Sequence, residues 1–410
     1  MKEIMKGEED TPPSSVNGDE VTGLDEEGMF YVEEVEEIDL DDENMEDVTD
    51  QEEEDVEMEP PEDNAVLVFS KHTGSVFCCD IHPDGKLAVT GGEDDKAYVW
   101  AVETGELIMD CIGHKDSVVF VGFSHDGAYL ATADMCGLIK VWKCNLDENQ
   151  QEPWTVAFEY EADDLIWGQW HFGTRVLLIG TVSGNIYVLK VPSGETKVLQ
   201  GHNVKVECGK LFQDGMRLVA GYEDGEVKIW DLKTSTVLHS LPASAHEMRV
   251  TAVDCNPENT LMASISTDGK AVLTTTNNGK VVGQLEIENY LETVAFAPEL
   301  GLLALGTLTG AVSIWEVARQ MRRNECSKSD GNEAGGVTKM IWIKNYLLTG
   351  CLDGSIRAYD GRSGEMVLQL TGHRSEVLDF CYNAKQNVIL TSSDDSTARI
   401  FTLKDTRVSQ

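Results

Sequence analysis

A chain of 410 residues with 41% hydrophobic content can bury a sizeable core, as a few ordinary domains or one large repeat domain. Its formal net charge of −41 argues against direct nucleic-acid binding, because phosphates would be repelled, and favours basic partners. The excess is concentrated: residues 1–63 carry 28 Asp and Glu against two Lys, leaving 45 acids and 30 bases in 64–410.

In chain order, the first segment contains "YVEEVEEIDLDDENMEDVTDQEEEDVEMEPPED" (31–63), with few aromatics and no amphipathic period. Such a composition cannot bury enough apolar surface to offset the entropy of ordering, so 1–63 is expected to be a disordered acidic tail. Its start, "MKEIMKGEED", lacks the apolar core of a signal peptide. No apolar run approaches the roughly 18 residues of a membrane span, so no transmembrane segment is expected. Ten cysteines without a Cys-x-x-Cys pair, and no Asn-x-Ser/Thr sequon, read as reduced thiols of a cytoplasmic protein. No metal site or other cofactor is expected.

From residue 64 the chain repeats. "GGEDDKAYVW" (91–100) is followed by "ADMCGLIKVW" (133–142), "GTVSGNIYVL" (180–189), "AGYEDGEVKIWDL" (220–232), "STDGKAVLTT" (266–275), "LGTLTGAVSIWEV" (305–317), "GCLDGSIRAYD" (350–360) and "SSDDSTARIF" (392–401). The marker position falls on Trp100, Trp142, Leu189, Trp230, Thr274, Trp315, Tyr359 and Phe401, in steps of 42, 47, 41, 44, 41, 44 and 42 residues. A second marker agrees. His72, His114, His202, His246 and His373 each stand 22 residues before a turn residue, namely Asp94, Cys136, Asp224, Asp268 and Asp395. Within a repeat, "VVFVGFS" (118–124), "YLATA" (129–133) and "LIKVW" (138–142) read as short strands between turns such as "HDG". Eight copies of this length fit propeller blades of four strands each.

These copies resemble the WD-repeat family. The resemblance implies an all-β fold, a WD-repeat β-propeller of eight blades over 64–405, with a short tail at 406–410. Three strands per copy end near Phe401, so "AVLVFS" (65–70) is expected to complete the eighth blade and remove an exposed edge. The family also implies that His, a strand Ser or Thr, the turn Asp and Trp form one hydrogen-bonded set inside a blade. Carried over by position, the sets are His72/Asp94/Trp100, His202/Asp224/Trp230 and, with an aromatic substitute, His373/Asp395/Phe401. The second blade keeps His114 and Trp142 but has Cys136 in the turn, and the fifth has His246 and Asp268 but Thr274 in place of Trp. The third, sixth and seventh carry Glu161, Ile287 and Gly331 where His would stand, and are expected to rely more on packing. Linking a buried imidazole, carboxylate and indole satisfies all three, so a structural role is expected and not a catalytic one.

No phosphate-binding loop, zinc-protease helix or nucleophile elbow occurs, so no catalytic residue is expected and the chain reads as a non-enzyme. In a propeller the residue before the turn Asp points outward. Here it is acidic at Glu93, Glu223 and Asp394, apolar at Met135, Val182, Leu308 and Leu352, and Thr267 in the fifth blade. That series suits a peptide with both basic and apolar anchors, and is the expected partner-binding face. The one basic stretch, "RQMRRNECSK" (319–328), is expected in the connection between blades six and seven.

A tighter resemblance within the family is carried by "AVTGGEDDKAYVW", "GHKDSV", "GFSHDG", "GLIKVW", "GYEDGEVKIWDLK" and "NGKVVG". It implies a cytosolic scaffold linked to cell migration and angiogenesis, with a fungal counterpart that captures a basic large-subunit ribosomal protein before assembly. A monomer that holds a basic client is therefore expected. Two alternatives stand beside it. One is a signalling adaptor in cell motility that binds through apolar propeller surface. The other is a substrate receptor of a ubiquitin ligase, for which "AYDGR" (358–362) is the signal, with Tyr359 where the signature has Trp.

Overall fold

The computed structural model describes residues 62–144, 154–242, 244–326, 335–403 and 408. The acidic tail expected over 1–63 thus lies outside the described residues except for its last two, and Gly331 lies outside them too. Glu62 and Asp63 are held by the propeller: Asp63 accepts the Ala65 N–H at 2.9 Å and pairs with Arg399.

Among the described residues the chain forms thirty-two strands, from β1 (Leu67–Phe69) to β32 (Ala398–Thr402), in eight four-stranded sheets. Seven sheets each take four consecutive strands. The eighth has the order β1-β32-β31-β30, with β30 at Val377–Asn383 and β31 at Val388–Ser393. The first strands of the sheets line the centre of a ring: β2 (Val76–Ile81) touches both β6 (Val118–Phe123) and β30. The fold is an all-β, eight-bladed propeller.

Burial explains why these segments are strands. The second strand of a blade is packed between two neighbouring blades, so it is apolar on both faces. In β7 (Tyr129–Asp134) all six residues are buried, whereas in the outer strand β5 (Leu107–Cys111) only Cys111 is. Strand β7 runs one residue past the expected "YLATA", and that extra residue, Asp134, becomes important below. Each innermost strand also carries a bulge just after its first residue, as at Val76/Cys78, Val118/Phe120 and Val377/Asp379. A bulge adds local twist. Its recurrence in all eight blades lets each innermost strand start against a buried apolar residue such as Val76, Val118 or Val377 and still turn along the channel.

Carboxylates tie neighbouring blades near the channel. Asp80 accepts the Phe123 N–H at 2.8 Å, Asp254 accepts Phe296 N–H at 2.7 Å, and Asp379 accepts Cys79 N–H at 3.2 Å. The last of these crosses the seam between blades eight and one. There β1 pairs with β32 in register Leu67–Ile400, while Phe69 stacks on Trp100 of blade one at 4.7 Å and 5°. One short strand therefore belongs to the last sheet by hydrogen bonding and to the first by its aromatic ring.

Two expectations need correction. The described part of the basic stretch is not a connection: Met321–Glu325 is β25, the outer strand of the sixth blade, paired with β24 (Val312–Glu316). Four of its five residues, Arg322 and Arg323 among them, are exposed, which is why arginines are tolerated on this edge strand. The terminal segment is not wholly a free tail, since Val408 is buried at 1% exposure among Ile343, Phe401 and Leu403. All ten cysteines are free thiols, and no helix among the described residues is long and apolar enough to cross a membrane.

Candidate protein-binding face

The histidine sets sit just beneath the turns that join second and third strands. In blade one, His72 Nδ1 donates to Asp94 at 2.9 Å, and Nε2 accepts from the Thr90 hydroxyl at 2.9 Å. Thr90 in turn accepts the Trp100 indole N–H at 3.4 Å. The chain of donors fixes one tautomer, with the proton on Nδ1. Blade eight repeats this with His373, Asp395 at 2.9 Å and Thr391 at 2.7 Å, and buried Phe401 meets the imidazole edge-on at 6.4 Å. Hydrogen bonds from His373, Thr397 and the Arg374 N–H hold the Asp395 carboxyl well below its ordinary range, against the opposing effect of burial.

Blade two departs from the expectation. His114 Nδ1 donates at 3.3 Å to Asp134, which also accepts the N–H groups of Lys115 at 3.0 Å and Leu138 at 2.9 Å. Thr132 joins His114 at 2.8 Å and Trp142 at 3.1 Å. Cys136, which the spacing puts at the turn position, is exposed and donates to Asp116 at 3.1 Å, and that carboxylate pushes its thiol up to about 11. A thiol cannot replace the three-way acceptor, so the carboxylate comes from the end of the strand instead.

Blade four departs further. The strand position that carries Thr90, Thr132, Ser264 and Thr391 elsewhere holds Ala220, which offers no hydroxyl. His202 turns outward against the Tyr222 ring at 4.6 Å, donates from Nε2 to Asp224 at 2.9 Å, and accepts at Nδ1 from Lys228 at 2.7 Å. Its tautomer is thus opposite to that of His72. Trp230 is left out of the set, with its buried indole N–H unpaired. Ala220→Ser should raise stability by about 1 kcal/mol by giving that N–H an acceptor, as read from urea unfolding. His202, Asp224 and Glu226 bring three ligand-type atoms within 4.8 Å, but the Lys228 ammonium already lies 2.7 Å from Glu226 and offsets one of the two carboxylates.

In blade five, His246 Nε2 meets Ser264 at 2.7 Å, but Nδ1 stands 3.8 Å from Asp268 and has no hydrogen-bond partner. Asp268 accepts the Glu247 and Lys270 N–H groups instead, and Thr274 replaces the Trp with a buried hydroxyl that finds no partner. Burial pushes the imidazole down from its ordinary 6.5 to about 4, against the pull of Asp268. The unfolded chain takes up this proton as pH falls through 6.5 while the folded chain refuses it until about 4, so stability is lost across that window as pH falls. His246→Gln removes the linkage. The stability difference between the parent and this variant should shrink by about 3 kcal/mol between pH 7 and pH 4.

The blades without histidine do not rely on packing alone. Thr181 and Ser183 bond at 3.1 Å in blade three, and Thr307 and Thr309 at 3.1 Å in blade six, where Trp315 donates to Ser313 at 2.8 Å. In blade seven the buried Arg357 pairs with Asp353. Short local hydroxyl contacts and one ion pair take over where the imidazole is lost.

Above these sets lies the turn face. Every blade runs its strands in the same order, so all eight of these turns lie at one end of the ring. Glu93, Glu223 and Asp394 are exposed there, and Met135, Val182 and Leu308 are 46%, 43% and 47% exposed. Leu352 is half-buried and Thr267 is buried. The acids are not equivalent. Glu93 accepts the Ser75 N–H at 3.1 Å, and Asp394 accepts the hydroxyls of Ser75 at 2.6 Å and Ser375 at 3.0 Å, so both brace the seam between blades eight and one. Glu223 has no such partner among the described residues.

Glu223, Thr267 and Leu308 meet in a depression of about 590 Å³ spanning blades four to six, also lined by Glu247, Met248, Arg249, Tyr290 and Glu292. Tyr290 and Met248 are 58% and 50% exposed. The Thr267 hydroxyl beneath it is buried and has no partner. Burial raises the Glu292 carboxyl, with Arg249 3.9 Å away opposing the shift. Exposed apolar groups beside an unpaired acid are the chemistry of a site for an amphipathic cationic segment. The sequence marked three of these residues; four of the others, Glu247, Met248, Arg249 and Tyr290, sit on the loops that lead into the innermost strands, and Glu292 lies at the start of such a strand, positions the turn spacing does not sample.

The WD domain, G-beta repeat family model matches residues 64–101, 105–143, 193–231 and 364–402. The chain is 38% identical over 364 residues to angio-associated migratory cell protein of Homo sapiens, covering 84% of this chain and 81% of that protein. It is 23% identical over 381 residues to ribosome assembly protein SQT1 of Saccharomyces cerevisiae, covering 83% and 86%. Among solved structures, Chaetomium thermophilum Sqt1 bound to the N-terminus of the ribosomal protein L10 superposes with a TM-score of 0.77 at 22% identity, over 83% of this chain and 100% of that one. At that identity the structural match speaks for the fold alone.

Proposed function

We propose, for a chain that belongs to the WD-repeat family of angio-associated migratory cell protein, that it is a non-enzymatic cytoplasmic scaffold whose turn face holds a basic segment of a client protein. The depression beside Glu223 carries this reading, because it combines an unpaired carboxylate with apolar walls. A lysine or arginine would face Glu223 and Glu292, and a neighbouring apolar residue would pack on Leu308, Met248 and Tyr290. A related fungal propeller binds the N-terminus of ribosomal protein L10, so a nascent large-subunit ribosomal protein is the class of client to try first. The net acidity of the chain would speed encounter with such a client. The experiment is affinity capture from cytosol at low and high salt. Basic proteins should be retained at low salt and released as salt rises.

A second reading is favoured by the exposure of Met135, Val182 and Leu308: an adaptor in cell motility that selects partners by apolar surface. Capture that survives high salt and is lost on Leu308→Ser with Leu352→Ser would support it over the first.

A further inference from the structure

The turns joining first to second and third to fourth strands lie at the end of the ring opposite the turn face. Between blades three and four at that end runs a groove of about 360 Å³. Val176, Val188 and Leu232 line it, and Met216 stands 62% exposed at its lip. The same position after the turn glycine holds Lys86 in blade one and Ala128 in blade two, so an exposed methionine is not required by the turn. Three lysines border the groove. Lys190 is paired with Glu195 at 3.4 Å, whereas Lys197 donates to the Lys233 carbonyl at 3.1 Å. Among the described residues no carboxylate forms an ion pair with Lys197 or Lys233. Two ammonium groups without a close ion pair, Lys233 feeling only the longer-range pull of Asp231, stand beside an apolar floor in a chain with 73 acids and 32 bases.

We propose that this groove docks a short acidic segment of a partner protein through one apolar anchor. The anchor packs on Val176, Val188 and Leu232 beneath Met216, and flanking carboxylates meet Lys197 and Lys233. Exposed ion pairs are individually weak, so the anchor supplies most of the affinity and the lysines supply the choice of an acidic sequence. The occupant is opposite in charge to the client of the turn face and sits at the other end of the ring. Both can therefore be bound at once, and the propeller acts as a bridge.

Fluorescence anisotropy of the full chain with a labelled Asp-Glu-Asp-Leu-Asp-Glu-Asp peptide tests this. Saturable binding is expected, weakened at least tenfold by Lys197→Glu with Lys233→Glu, and as much by Leu→Ala in the peptide. The milder Lys197→Gln with Lys233→Gln should give an intermediate loss, and the exposed positions leave folding intact, as circular dichroism would verify. Glu223→Lys should change nothing, which separates this proposal from the reading of the turn face. Absence of saturable binding, indifference to the lysine substitutions, or equal binding of the Leu→Ala peptide would overturn it. So would full competition by inorganic polyphosphate with no contribution from the leucine, since the groove would then be only a patch for polyanions.

Discussion

Asp134→Ala should destabilise the propeller by about 4 kcal/mol, whereas Cys136→Ala should leave its unfolding midpoint unchanged. Asp134 is wholly buried, and its removal orphans the His114 Nδ1–H and the N–H groups of Lys115 and Leu138 together. The Leu138 N–H is buried with the carboxylate, beside the joint between blades one and two, where Val118, Leu130 and Trp142 pack with Val89 and Val99. Cys136 sits in the open, and the only contact it loses is the one to Asp116. Urea unfolding followed by tryptophan fluorescence reads both variants, because Trp142 is tied to the same set through Thr132. The reverse order of effects would return the cysteine to the set.

Glu223→Lys should weaken a basic peptide at the turn face at least tenfold, and the double variant Glu223→Lys/Glu292→Lys more strongly still. The peptide to use is the N-terminal segment of a large-subunit ribosomal protein, titrated at fixed salt by anisotropy or calorimetry. Glu93→Lys and Asp394→Lys should matter less, by threefold or under, because their carboxylates already receive the hydroxyl and N–H of Ser75. Their loss would show first as a lower unfolding midpoint at the seam. If the three reversals prove equivalent, the client is attracted by the general field of the face and the depression does not select it. If none has an effect, the acidic face is not the binding surface.

These two results also show where the repeat pattern is informative and where it misleads. The spacing of 22 residues locates the turns in all five blades that keep a histidine, because a hairpin of fixed length leaves little freedom there. It does not identify which atom fills the acceptor site. Asp134, two residues earlier, reaches the same imidazole from the strand end, and only the chemistry of a cysteine, a poor acceptor, could have raised the question. A second signal was available and unused: the hydroxyl residue 18 positions after each histidine, present as Thr90, Thr132, Ser264 and Thr391 and missing at Ala220. It accounts for the isolation of Trp230. The depression at the turn face could not be read from one repeat at all, since Glu247, Met248 and Tyr290 reach it from loops whose length varies between copies, and Glu292 from the start of an innermost strand.

The seam strand has a consequence for how the molecule is made. Asp63 and Arg399, which meet at the seam, stand 336 positions apart. A ribosome releases Leu67–Phe69 early, when Phe69 can already stack on Trp100 but the residues that pair with its backbone do not yet exist. Until Ala398–Thr402 emerges, that strand presents an unpaired edge, the kind of surface that recruits other chains. Completion of the last blade is therefore also a check on the finished product. A polypeptide shortened at either side of the seam leaves the last blade with an open flank, and loss of Phe69 also uncovers Trp100 of the first.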